Sequence, residues 1–210
     1  MKILIDLDGT LLDSRERLYG LFKTLVPECD LDKKSYWDLK RAKVAHKQIL
    51  SERYGYTDKK IAFFEAAWMD LIEEQNWLKK DMLFEGVSEH LQALWKVADL
   101  YLLTARQRPD MVGYQLDRAG VKDFFVGIYV TGGKLLKDES VAGLRLTAED
   151  WLIGDTGNDV EVGKRLGVRT ASVANGFLSI ESLLPYGPDL MLNRFTDFII
   201  DFSQPRLTPK

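Results

Sequence analysis

The sequence predicts an α/β protein: a doubly wound, parallel sheet with an all-helical segment inserted after the first strand. Three observations carry this. Short, unbroken apolar runs stand at Ile3-Leu4-Ile5, Leu100-Tyr101-Leu102-Leu103, Phe124 to Val130 and Trp151-Leu152-Ile153, with a further candidate from Val168 to Val173. Unbroken runs suit strands covered on both faces, as in parallel sheets. Between the later runs lie stretches of helical period, and alternating strands and helices imply βαβ units. By contrast, the stretch from about Ser14 to Asp81 shows no clear strand.

Taken in order, Ile3-Leu4-Ile5 is a buried strand that ends in the turn Asp6-Leu7-Asp8-Gly9-Thr10. The insert, residues 14–81, is rich in Lys, Glu and aromatic residues, and Ile61, Phe64, Trp68, Leu71 and Ile72 sit at helical spacing. It would lie over the carboxyl end of the first strand, where open α/β sheets bind ligands, and so reads as a lid, or else as a helical decoration with no role in binding. Residues 1–13 and 82–210 then form the α/β core. Val87, Leu91, Leu94 and Trp95 mark one core helix, and Val160 to Leu166 another, closed by Gly167. The tail from Ser203 to Lys210 holds two prolines and is expected to fray.

Composition narrows the function classes. With 210 residues the chain can form one core and a modest appendage. A net charge of −3 supplies no global attraction for nucleic acid or an anionic membrane. Cys29 is the single cysteine, which excludes an internal disulfide and fits a reducing compartment. Three apolar residues before Asp6 are too few for a signal-peptide core, and no apolar stretch approaches a membrane span. A soluble, cytoplasmic protein is expected. There is no GxxxxGK loop and no dinucleotide fingerprint, and His46 and His90 match no ligand spacing.

Chemistry concentrates in two acidic loops. Asp6 and Asp8 directly follow an apolar strand, where carboxylates are costly unless compensated. A turn at Gly9 lets both approach one site, and a divalent cation would compensate them; magnesium takes a few carboxylate oxygens and retains water. The second loop, Gly154-Asp155-Thr156-Gly157-Asn158-Asp159, also follows an apolar run. Either loop alone fits an Asx turn with helix capping. Together they point to a shared metal.

With these motifs the sequence resembles the haloacid dehalogenase superfamily, whose members are mostly phosphatases. Asp6-Leu7-Asp8-Gly9-Thr10 is similar to its first motif, Thr104 at the end of Leu102-Leu103 to its second, and Gly154 to Asp159 to its fourth. The helical insert stands where the family carries its α-helical cap. The resemblance implies that Asp6 is the nucleophile of an aspartyl-phosphate mechanism and that Asp8 serves as acid and then base. It implies Mg²⁺ held by Asp6, the Asp8 backbone carbonyl and Asp155, with Asp159 orienting metal waters or a lysine. Thr104, Ala105 and Thr10 would contact the phosphate or the rest of the substrate; Arg106 reads either as a ligand of a phosphate or substrate carboxylate or as a loop arginine paired at the surface. Lys134 and Lys137 both qualify as the family's lysine. Lys137 is preferred because Val141 and Leu144 follow it at core-facing spacing, although Asp138 replaces the usual proline. The resemblance also implies phosphoryl transfer and not carbon–halogen cleavage, because the superfamily's true dehalogenases lack an acid where Asp8 stands.

The expected function is therefore hydrolysis of a small phosphate monoester. A phosphotransferase, such as a sugar-phosphate mutase, would use the same residues, and a non-catalytic binding module would need none of them. Among weaker signals, Asp13-Ser14 reads as a hinge or a helix cap. Lys33, Lys34, Lys40, Arg41, Lys43 and Lys47 read as a solvated face or an anion-steering patch, and Tyr36 and Trp37 as core or as a stacking surface.

Overall fold

A computed structural model of the protein describes residues 1–199; the tail from Ser203 to Lys210 lies outside them. Six parallel strands form one sheet in the order β5-β4-β1-β6-β7-β8. They are β1 (Lys2–Ile5), β4 (Asp99–Thr104), β5 (Phe125–Val130), β6 (Trp151–Gly154), β7 (Arg169–Val173) and β8 (Leu190–Leu192). A two-stranded antiparallel ribbon pairs β2 (Leu12–Asp13) with β3 (Met82–Leu83).

The apolar runs become strands because successive side chains find cover on opposite faces of the sheet. Ile3, Ile5, Leu100 and Leu102 join one apolar cluster with Val87, Leu91 and Leu94 of α6 (Val87–Trp95) and Val112 and Leu116 of α7 (Pro109–Ala119). Leu4, Tyr101, Leu103 and Leu152 join another with Val162 of α9 (Gly157–Leu166) and with Val141, which follows the short α8 (Lys137–Ser140). Helices therefore cover both faces. Gly167 closes α9 in the left-handed conformation, at φ 68°. Strand β1 sits between β4 and β6, at the point where the chain switches direction across the sheet, so its carboxyl end opens on a crevice.

The residues between β2 and β3 are helical: α1 (Arg15–Leu25), α2 (Lys33–Arg41), α3 (His46–Tyr54), α4 (Asp58–Leu71) and α5 (Gln75–Leu78). They enclose an apolar cluster of their own, built on Leu21, Phe22, Tyr36, Ile49, Leu50, Ile61 and Phe64. Tyr36 and Trp37 are buried in it, and His46 lies against Phe22, Phe64 and Trp68 with its Nε2 2.8 Å from Tyr36 Oη. Lys33, Lys34 and Lys47 lie at the surface beside Glu16, Asp38 and Asp58. Among the described residues, no helix is long and apolar enough to cross a membrane.

The insert meets the sheet through polar contacts. Glu73, buried, accepts hydrogen bonds from the backbone N–H groups of Gln107 at 2.8 Å and Arg108 at 2.9 Å, at the start of α7. Arg41 donates to the carbonyls of Gly176 and Ala174, at 3.0 and 3.1 Å. Phe22 is fully buried at the centre of the insert's cluster. Phe22→Ala should cost about 3–5 kcal/mol of stability through the cavity it leaves. Urea unfolding followed by circular dichroism checks this, and a loss under about 1 kcal/mol would mean the cluster is not a packed core.

Candidate active site

The carboxyl ends of β1, β4 and β6 bring the two acidic loops together. Asp6 follows β1, Thr104 ends β4, and Asp155 follows β6, while Lys137 opens α8 and Asp159 lies in the first turn of α9. The Lys137 ammonium donates to Asp6 Oδ1 at 2.5 Å and to Asp159 Oδ1 at 2.6 Å. Lys134 is exposed on the preceding loop. Asp159 is spoken for on its other oxygen as well. In a capping box, its Oδ2 accepts from the Thr156 amide at 3.1 Å and the Thr156 hydroxyl at 2.6 Å.

Asp155 is different. It is fully buried, and its Oδ2 accepts from the Phe177 amide at 2.5 Å, but its Oδ1 has no hydrogen-bond partner among the described residues. Carboxylate oxygens of Asp6, Asp155 and Asp159 lie within 4.8 Å of one another. Burial pushes the Asp6 carboxyl up from 3.8 to about 7; Lys137 opposes the rise, and Asp159 and Asp8 add to it. Burial also raises Asp155 well above the ordinary range, reinforced by Asp6 and Asp159. For Lys137, burial favours the neutral amine, but Asp159 and Asp6 outweigh it and hold the ammonium. Three buried acidic side chains thus stand beside one ammonium, which bonds two of them. The remaining negative charge and the orphaned Asp155 oxygen fit a small divalent cation, for which Asp6 and Asp155 offer hard oxygen ligands. Gly9 permits the approach: its φ is +84°, and a Cβ there would collide with Asp155 Oδ2.

Asp8 faces two guanidinium groups. Arg106 Nε and Nη2 reach it at 2.5 and 2.8 Å, and Arg17 Nη2 reaches it at 2.5 Å. Burial alone would raise its pKa, but Arg106 and then Arg17 more than offset that and hold the carboxylate ionised, well below the ordinary range. Both arginines also lean on Asp81, which accepts from Arg17 Nε at 2.9 Å and Gln115 Nε2 at 2.8 Å, with Arg106 Nη2 at 3.5 Å.

These groups line a cavity of about 280 Å³ between sheet and insert. Asp6, Asp8, Thr104, Ala105, Arg106, Lys137 and Asp159 all face it. Asp155 lies deeper. Thr10 is fully buried, its hydroxyl has no partner among the described residues, and it does not line the cavity. Asp13 accepts from the Arg15 amide at 3.1 Å, where the chain enters α1. None of Lys33, Lys34, Lys40, Arg41, Lys43 or Lys47 lines the cavity. Sequence reasoning missed Arg17, Asp81 and Phe177. The first two form a buried ion pair across 64 residues, for which no local pattern exists.

With this geometry in hand, comparison with known proteins is informative. A family profile described as haloacid dehalogenase-like hydrolase matches residues 3–173. The chain is 23% identical to a phosphoglycolate phosphatase of Synechococcus elongatus, over 96% of this chain and 97% of that protein. It is 27% identical to the pyrophosphatase PpaX of Bacillus velezensis, over 94% of each. Among solved structures, a haloacid dehalogenase-like family hydrolase from Streptococcus pneumoniae superposes with a TM-score of 0.70 at 21% identity, covering 93% of this chain and 95% of that one. The HAD-hydrolase YfnB of Bacillus subtilis, solved bound to magnesium, gives 0.56 at 20% identity, covering 88% and 95%.

The raised carboxyls have a consequence for stability. Between the ordinary 3.8 and about 7, the folded chain keeps a proton on Asp6 that the unfolded chain has released, and the raised Asp155 acts in the same direction. Without divalent cations, stability should therefore fall as pH rises through this window. Asp8, shifted the other way, stabilises the fold above its ordinary range and loses that contribution in acid. Millimolar Mg²⁺ should restore the loss near pH 7. Thermal unfolding from pH 4 to 8, with and without Mg²⁺, checks both; a metal-free melting temperature that rises from pH 5 to 7 would contradict the charge assignment.

Proposed function

The chain belongs to the haloacid dehalogenase-like hydrolases, and from that premise we propose that it is a Mg²⁺-dependent phosphatase that hydrolyses a small phosphate monoester through an aspartyl-phosphate on Asp6. The observation that carries the reading is the Lys137 ammonium bridging Asp6 and Asp159 beside the unpartnered oxygen of Asp155. A cation-flanked carboxylate at the floor of a cavity is placed to attack an anion that would otherwise repel it. Kinship with proteins named phosphoglycolate phosphatase and pyrophosphatase supports phosphoester or phosphoanhydride chemistry.

In the first half-reaction an Asp6 oxygen bonds to phosphorus and the bond to the leaving oxygen breaks. Asp8 takes up the proton that a monoanionic phosphate ester brings into the cavity and delivers it to that oxygen. In the second, Asp8 takes a proton from water, the resulting nucleophile bonds to phosphorus, and the Asp6–phosphorus bond breaks to release phosphate. The arginine pair that holds Asp8 ionised suits this second half. Thr104 and backbone amides beside it hold the phosphoryl oxygens as charge builds. Lys137 screens Asp6 from the incoming phosphate, and Asp159 keeps Lys137 in place. Asp6, the Asp8 backbone carbonyl and Asp155 would hold Mg²⁺, which supplies charge neutralisation between nucleophile and phosphate when bound. Residues 14–81 act as the cap over a core of residues 1–13 and 82–210. We place the activity in the cytoplasm, in keeping with the lone cysteine.

Phosphate release from p-nitrophenyl phosphate, with Mg²⁺ or with chelator, tests the chemistry. Turnover should require the metal, and Asp6→Asn should lose at least about a thousandfold in kcat while keeping its fold. Retention of near wild-type activity by that variant would remove Asp6 as nucleophile. Lys137→Ala should likewise cost about a hundredfold or more and Lys134→Ala less than about threefold; the reverse ranking would transfer the role to Lys134.

A further inference from the structure

We propose that the leaving group of the substrate carries an anionic group of its own, making the substrate a small phosphorylated acid, and that Arg106 and Arg17 are the residues that recognise it. This rests on the phosphatase reading of the site. A group that protonates the leaving oxygen must touch it, so whatever surrounds Asp8 on the cavity side also surrounds the leaving group. What surrounds Asp8 is two guanidinium groups, from Arg106 and Arg17.

Arg106 has capacity to spare. Its side chain is only 6% exposed, it lines the cavity, and its Nη1 has no hydrogen-bond partner among the described residues. A buried guanidinium nitrogen left without an acceptor is costly, and an anionic ligand oxygen would satisfy it with a charge-assisted bond. Arg17, by contrast, is fully engaged: Nε on Asp81, Nη1 on the Ile72 carbonyl at 3.1 Å and Nη2 on Asp8. It adds fixed positive charge from the insert side. Asp81, with no side-chain exposure, accepts from both arginines and so holds them before any ligand arrives.

The insert side of the wall favours the same chemistry, while Thr156 and Asn158 line the cavity from the start of α9. From the insert, the cavity is lined by Arg17, Leu18 and Ile72, and Phe177 faces them from the loop after β7. Arg17 is the one polar side chain among these four. Sugar or nucleoside hydroxyls directed at the insert side would meet Leu18, Ile72 and Phe177 without partners, each a cost in a desolvated site. The volume of about 280 Å³ lies at the small end of ligand pockets. A leaving group of a few carbons with one carboxylate, or a second phosphate, meets both constraints.

Two inert probes separate this inference from the catalytic reading. Phosphonoacetate and ethylphosphonate have similar size and share a phosphonate, but only the first carries a carboxylate. Calorimetric titration of the wild-type protein, at fixed excess Mg²⁺, should find phosphonoacetate bound at least about tenfold tighter, as expected for one charge-assisted hydrogen bond. The preference should collapse in Arg17→Met combined with Asp81→Asn, which removes both members of a buried pair, and return in part in Arg17→Lys. Thermal unfolding confirms that each variant is folded; if the double variant is not, the wild-type comparison and Arg17→Lys decide. Equal binding of the two probes by the wild type overturns the inference, whether or not the chain is a phosphatase. A preference that survives intact in the double variant overturns the role of Arg17. Tighter binding of phosphonoacetate without turnover of any ester supports recognition by the arginines and overturns the phosphatase reading instead.

Discussion

The ammonium of Lys137, shared between Asp6 and Asp159, is what allows the carboxyl end of this sheet to exist as built. Three carboxylates are gathered there with almost no access to water, and each would be costly on its own. Lys137 relieves two of them at once, at 2.5 and 2.6 Å. Removal of one partner of such a group leaves an uncompensated buried charge, worth about 3–5 kcal/mol. The contact also joins three separate pieces of chain, the end of β1, the start of α8 and the first turn of α9. Asp159 transmits the constraint further, because its second oxygen closes the capping box of α9. In the proposed reaction, the same arrangement that makes the acids tolerable would screen Asp6 from an anionic substrate. Stability and chemistry here make the same electrostatic demand.

A second layer of charge, the Arg17–Asp8–Arg106–Asp81 cluster, joins the helical insert to the sheet. With Glu73 on the α7 amides and Arg41 on the carbonyls of Ala174 and Gly176, the contacts that bridge the two are chiefly hydrogen bonds and ion pairs. The apolar cluster of the insert is largely separate from those that sandwich the sheet, with Phe177 a bridging side chain packed on Trp37. Polar interfaces of this kind can part and re-form without exposing a core, which suits the cap role proposed for the insert.

Much of this was legible in the sequence because the relevant signals are local. Asp6 and Asp8 stand within three residues of a buried strand, and Asp155 and Asp159 share one loop. The strands β1, β4, β5, β6 and β7 correspond to the apolar runs, since burial on both faces leaves an unbroken hydrophobic stretch. Lys137 could be preferred over Lys134 because Val141 and Leu144 follow it at core spacing, and both pack in the cluster beneath α9. Non-local pairing was not legible. Arg17 looked like any charge on an amphipathic helix, and Asp81 like the edge of a linker, until the fold placed them together. Strand β8, three residues long, and the ribbon of β2 and β3, two residues each, are too short to show a period. Thr10 shares the first acidic loop with two residues that face the cavity, yet it turns inward, because the bend after Asp8 reverses the direction of the chain.

The position of β1 also bears on how the protein is made. It is the central strand of the sheet, yet its partners in β4 begin only at Asp99 and those in β6 at Trp151. On a ribosome adding about 5–20 residues per second, this first strand emerges several seconds before either neighbour. The helices of the insert emerge in between, and their contacts are mostly local, the kind that assemble fastest. Synthesis thus favours an order in which the insert folds first while an apolar strand ending in two acids waits unpaired. The interval during which Ile3, Leu4 and Ile5 are most open to chaperones, or to mispairing with another nascent chain, is therefore set by the length of the insert.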